Sequence, residues 1–240
     1  MTSLRTSDPV ALGLSTSTGP GGFVSQPWRY LAVALLLALA LPTGIVALLE
    51  GIGHLPLPFN LYVIDLRLPV VFKLHMLASG AVLVLTPLVL FVRRNRRWHR
   101  PLGRLTGALV VIGGLTSFPV ALESSSPLVA RAGFAAQALV WLAFVTLGVR
   151  AARARAFGQH ATCMLAMSAV ASGAIWVRLT TAVVTSCDLP FDPIYSAAAW
   201  LGWIVPMGLV LIARRGSHSQ ANIWRWVAPR KSIPTKANGL

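Results

Sequence analysis

A chain of 240 residues that is 55% hydrophobic and 11% charged, with a mean hydropathy of +0.70, lies far from the soluble norm of roughly a quarter charged residues. A water-soluble domain is excluded. The net charge of +15, from 21 Lys+Arg against 6 Asp+Glu, does not describe a nucleic-acid module either, because the basic residues border apolar stretches instead of covering a soluble face.

Residues 1–27 are rich in Ser, Thr, Gly and Pro without an apolar run and read as a flexible cytoplasmic tail. The stretch Leu31 to Leu49 that follows is longer than the apolar region of a cleaved signal peptide, about 7–15 residues, and lacks its small-residue cleavage site. It reads as a retained first span. A bilayer core about 30 Å thick needs roughly 20 apolar helical residues, and six such windows are present: Arg29 to Leu49, Pro69 to Val92, Arg104 to Leu122, Leu128 to Val149, His160 to Val184 and Tyr195 to Ala213. Gly107, Gly113 and Gly114 in the third span and Gly202 and Gly208 in the sixth allow close helix approach. Pro87, Pro119 and Pro206 are expected to kink their helices without ending them. The expected architecture is all-α: a transmembrane bundle of six helices over 28–213, followed by a basic tail over 214–240.

Short cytoplasmic loops accumulate Lys and Arg. Arg93 to Arg100, then Arg150, Arg153 and Arg155, then Arg214 and Arg215 with the tail residues Arg225, Arg230 and Lys231, all fall on one side of the six-span scheme. Glu50, Asp65, Glu123, Asp188 and Asp192 fall on the other, which leaves only Asp8 on the basic side. Both termini are therefore expected in the cytoplasm, with the chain a multi-pass membrane protein. Residues Gly51 to Leu68 form an external loop long enough to fold back on the bundle. Trp224 and Trp226 among basic residues suit the headgroup region. Cys163 and Cys187 fall near opposite faces of the bilayer, too far apart for a bridge. The expected partners are the lipid bilayer and either a second copy or a larger membrane complex; nucleic acid is not expected.

Ionisable residues inside spans are costly, so each is a candidate for function. His160 and Arg178 are eighteen residues apart, five turns of an unbroken helix, and would share a face. At the outer level, Arg178 could meet His75, with Lys73, Glu123 and Arg131 nearby, in a basic pocket for an anionic headgroup, a quinone carbonyl or a carboxylate. Alternatively, Arg178 pairs with Glu123 or helix-end carbonyls and only ties helices together. At the inner level, His99 could approach His160. Two imidazoles from different helices are the minimum for an axial pair on haem b, and Arg96, Arg97, Arg100 and Arg104 could neutralise its propionates. His160, Cys163, Met164 and Met167 also offer soft donors at helical spacing for copper or zinc.

Taken together, His75, the run His99-Arg100-Pro101-Leu102-Gly103-Arg104, and His160 followed by Met164 and Arg178 resemble a widespread group of bacterial predicted membrane proteins classed only as a domain of unknown function. The resemblance covers about Val70 to Thr185 and implies a fold and a set of positions without an activity. Ala161, Thr162, Cys163 and Ala166 depart from the aromatic and basic residues that often follow the later histidine in that group. A looser likeness to b-type cytochromes and ferric reductases rests on histidines near helix ends; there His54 would have to fold back to give His75 a partner. Three functions follow as expectations: a small membrane redox protein binding haem or quinone, a non-catalytic accessory or scaffold subunit, and a small-solute permease.

Overall fold

The structure is a computed structural model. It describes residues 27–215, with all side chains except those of 27–33 and 36, so both tails and their Trp224, Trp226 and Lys231 lie outside the described residues. Among the described residues eight α-helices run in chain order: α1 Pro27–Gly51, α2 Phe59–Arg67, α3 Pro69–Phe91, α4 Arg96–Glu123, α5 Leu128–Arg153, α6 Phe157–Ala171, α7 Gly173–Ser186 and α8 Phe191–Arg215. No strand occurs among the described residues. Five segments are long and apolar enough to cross a membrane: α3, α4, α5, α6 with α7, and α8. The apolar stretch Leu37–Gly51 of α1 accompanies them. The chain is an all-helical membrane bundle, as its composition demands, because only helices and closed barrels satisfy their own backbone hydrogen bonds in lipid.

Three local differences from the sequence reading have physical causes. The arginine-rich loop is mostly helix: the Asn95 side chain accepts the Arg97 N–H at 3.1 Å and caps α4, so His99 and Arg100 sit in its first turns. The segment after α1 is not a plain loop but carries α2, whose Ile64 is 3% exposed and packs with Phe72, Met76 and Ala47. The fifth span is two helices joined at Ser172. There the Gln137 side chain of α5 donates to the Val170 carbonyl at 2.8 Å, and a Cβ on Gly173 would lie 2.5 Å from Gln137 Nε2. A side chain inserted into a helix ladder is one of the recognised causes of a break.

Packing follows the membrane rule of small residues inside and large ones out. Val82, Val110 and Val170 are fully buried, while Leu35, Phe91, Leu115, Leu128 and Leu209 face outward. Helix α1 meets α3 backbone to backbone: a Cβ on Gly44 would stand 2.8 Å from the Gly80 carbonyl oxygen, and one on Gly80 would stand 2.9 Å from that of Gly44. The C-terminal turn of α1 is also tied to α7 by charge. Arg178 Nη2 lies 2.6 Å from Glu50 Oε2, and the Glu50 side chain is only 6% exposed.

Two variants test this packing. Gly44→Val should lower unfolding stability in detergent by about 1–3 kcal/mol through overpacking, whereas Gly208→Ala, with no atom within 4 Å of the new Cβ, should leave the melting curve unchanged. Arg178→Gln leaves the Glu50 carboxylate buried without its cation and should cost about 3 kcal/mol, the lower end for a broken buried pair, because a third of the Arg178 side chain is exposed. Adding Glu50→Gln to that variant should recover part of the loss in the same melt.

Candidate functional site

The up-and-down course of the helices gathers arginines and acids at opposite ends. At the arginine-rich end, His99 in the first turn of α4 approaches His160 at the start of α6, with ring centres 6.4 Å apart and ring planes at 81°. Each ring is anchored through one nitrogen. His99 Nδ1 lies 3.3 Å from the Val89 carbonyl oxygen at the end of α3, and His160 Nδ1 lies 2.9 Å from the Gly148 carbonyl oxygen on α5. A carbonyl can only accept, so each Nδ1 carries a proton, and in the neutral ring the lone pair is left on Nε2. That is the tautomer in which a histidine ligates, with the outer N–H fixed by a carbonyl.

The ring spacing fits a shared metal. Two imidazoles bound from opposite sides, each at about 2.0 Å, hold their centres about 6 Å apart. There is also room beside His99 on its own helix: four residues on, a Cβ at Gly103 would have no atom within 4 Å. Arg96, Arg100 and Arg104 recur every four residues along α4, one turn apart and on one stripe, and all three are exposed. Among the described residues, no group of three or more His, Cys, Asp or Glu is placed to hold a metal ion. A bare zinc ion is usually closed by three or four protein donors, whereas a haem iron asks the protein for axial ligands only. Met164, on the His160 face of α6, packs against Gly148.

Several polar residues here carried no sequence signal. Thr162, fully buried, accepts from Arg214 Nε at 3.2 Å and so joins α6 to the last turn of α8. Gln159, beside His160, is 8% exposed, and its Oε1 has no hydrogen-bond partner. Only Arg214 could have been singled out beforehand, as a basic residue in the last turn of an apolar span.

The outer pocket expected around His75 and Arg178 is not assembled. His75 Nδ1 lies 3.1 Å from the Gly113 carbonyl oxygen of α4 and 3.4 Å from Thr116 Oγ1, well inside the bundle. Arg178 is taken by Glu50, and Glu123 instead pairs with Arg67 at 3.2 Å. Arg131 donates to the Ala121 and Leu122 carbonyls. Lys73 stands 4.0 Å from Asp65. His160 and Arg178 do not meet at one site, since the break at Ser172 separates their helices and His160 bonds to α5 while Arg178 pairs with Glu50 of α1. Cys163 and Cys187 are both free, the first buried and the second exposed.

Comparison with known proteins locates the chain without assigning it an activity. No curated protein and no solved structure matches it. A family model described as a predicted membrane protein, DUF2306, matches residues 72–213, a stretch that runs from α3 into α8 and contains His75, His99, His160 and Arg178. The chain therefore belongs to the DUF2306 family of predicted membrane proteins, whose function is unknown.

Proposed function

We propose that the chain is a small redox protein of the bacterial inner membrane that holds a b-type haem between His99 and His160 at a cytoplasmic, arginine-rich end. The observation that carries this reading is the paired ring geometry: two imidazoles from different helices, 6.4 Å apart, each locked by an Nδ1–H to a carbonyl of a third or fourth helix. The residues fit the group. His99 and His160 would bind it through Nε2, Gly103 leaves space on the α4 side, and Arg100 and Arg104 lie on the helix that carries the first ligand, where carboxylates at the membrane surface would be met by cations. When bound, the group supplies one-electron transfer.

The chain's own part is to hold and to tune. The carbonyl anchors fix ring orientation, so the ligand planes stay close to perpendicular. A hydrogen bond from Nδ1–H to a carbonyl raises the basicity of Nε2 as a ligand. Val110, Val145 and Met167, all in one buried cluster, close the bundle interior behind the pair and keep water from it.

The test is optical. Protein purified in detergent after growth with ample haem should show a Soret band that moves on reduction with dithionite. His99→Ala and His160→Ala should each abolish that band, and His75→Ala, at a site deep between α3 and α4, should retain it. Arg100→Gln combined with Arg104→Gln should leave the band position unchanged while lowering the haem-to-protein ratio several-fold. A colourless, iron-free wild-type preparation contradicts the proposal.

A further inference from the structure

At the acidic end, the chain leaving α1 and the helix α2 enclose a cleft of about 370 Å³, within the range of small-molecule sites, roughly 300–1,000 Å³. Its walls are apolar, formed by Leu55, Leu57 and Tyr62, and its polar lining is Glu50, Asp65 and Lys73. The two carboxylates differ in their state. Glu50 is nearly fully buried and grips the Arg178 guanidinium through both oxygens, at 2.6 and 3.4 Å, so its charge is matched. Asp65 is not matched in this way. Its Oδ1 is buried without a hydrogen-bond partner, and the nearest cation, Lys73 Nζ, stands 4.0 Å away, beyond hydrogen-bond reach. The Lys73 side chain is half exposed and that of Asp65 19% exposed, so the lysine is the more solvated partner, while Asp65 Oδ1 is buried.

A buried carboxylate oxygen with a distant ion-pair partner but no hydrogen-bond donor, at the edge of a lipid-facing bundle, is costly and calls for a donor. A cleft whose walls are apolar, and in which the Asp65 Oδ1 acceptor is buried without a hydrogen-bond donor, selects an occupant with a positive or donating head and an apolar body. We infer that this cleft is a binding site for a small organic ammonium, its N–H groups on Asp65 Oδ1 and its hydrocarbon against Leu55, Leu57 and Tyr62. This reverses the sequence expectation of a basic pocket for anions at this end, because Arg178 is consumed by Glu50 and Arg67 by Glu123. The aromatic ring of Tyr62, which lines the cleft, is of the kind that attracts a cation. Lys73 is a competitor for Asp65 and not part of the site's attraction. The inference is independent of haem at the opposite end.

The same ammonium chemistry could reach the cleft from the external medium or as the headgroup of phosphatidylethanolamine, and one experiment separates the two. The full chain is placed in nanodiscs of phosphatidylglycerol alone, or with phosphatidylethanolamine added, and titrated calorimetrically with n-butylammonium, with n-butanol as the uncharged control. In phosphatidylglycerol discs, butylammonium should bind saturably and butanol should not. Lys73→Ala should tighten binding about two- to five-fold, the worth of releasing an exposed ion pair. Asp65→Asn should abolish saturable binding, Tyr62→Ala should weaken it several-fold, and Glu123→Gln, in the neighbouring surface pair, should leave it unchanged. Loss of binding in phosphatidylethanolamine discs identifies the lipid headgroup as the occupant, and retention identifies a free amine; either supports the site. Absence of saturable binding in both wild type and Lys73→Ala, or binding that survives Asp65→Asn, overturns it.

Discussion

Three histidine rings in this bundle are held in the same way, each by an Nδ1–H donated to a main-chain carbonyl of a different helix: His75 to Gly113, His99 to Val89 and His160 to Gly148. In lipid, a helix carbonyl already accepts from its own ladder, and its second lone pair is the acceptor available to a neighbouring side chain. The bond therefore satisfies a buried imidazole, ties α3 to α4 and α5 to α6, and fixes which nitrogen is left with a lone pair. Two of the three acceptors are glycines for a steric reason. A Cβ at Gly113 would lie 2.9 Å from Ser79 Oγ, and one at Gly148 would meet the end of the Met164 side chain and lie 3.2 Å from Cys163 Cβ, so a larger residue at either place would force these side chains to repack against the histidine-bearing helix.

The two ends of the bundle then do different things with their charges. At the acidic end, opposite charges are brought together in pairs, Glu50 with Arg178 and Glu123 with Arg67, and the pairs clamp helices that are distant in sequence. At the arginine-rich end no acid among the described residues pairs with Arg96, Arg100 or Arg104, and these cations stand exposed around the histidine pair. An unpaired basic collar is ready to meet anionic groups, whether lipid phosphates or carboxylates of a bound group. The membrane-embedded core between these ends is held by close helix contact at Gly44 and Gly80 and by the valine, methionine and tryptophan cluster around Val170.

Much of this architecture was legible in the residues. Apolar length and the placement of arginines and acids located the spans because a bilayer imposes a length and charge rule on any sequence. The approach of His99 to His160 was legible for the same reason, since both stand at the start of spans entering from one side. What depended on lateral neighbours was not legible. Several cations and acids share the depth of Arg178, and only the adjacency of α1 and α7 selects Glu50. The break at Ser172 needed a side chain from another helix, Gln137, and so left no mark in the periodicity of the fifth span. Carbonyl acceptors such as Gly148 and Val89 have no sequence signature at all, and Thr162 joined to Arg214 looks like an ordinary apolar-span residue beside an ordinary terminal arginine.

The central claim is that His99 and His160 are a ligand pair set nearly perpendicular by their carbonyl anchors. The most direct measurement is electron paramagnetic resonance of the oxidised protein in its membrane. The account predicts a low-spin ferric signal of the strongly anisotropic kind given by two imidazoles with crossed planes, converted to a high-spin signal or lost when either histidine is replaced. A high-spin ferric signal in the wild-type protein, or no ferric signal from a membrane that holds the chain in quantity, contradicts it.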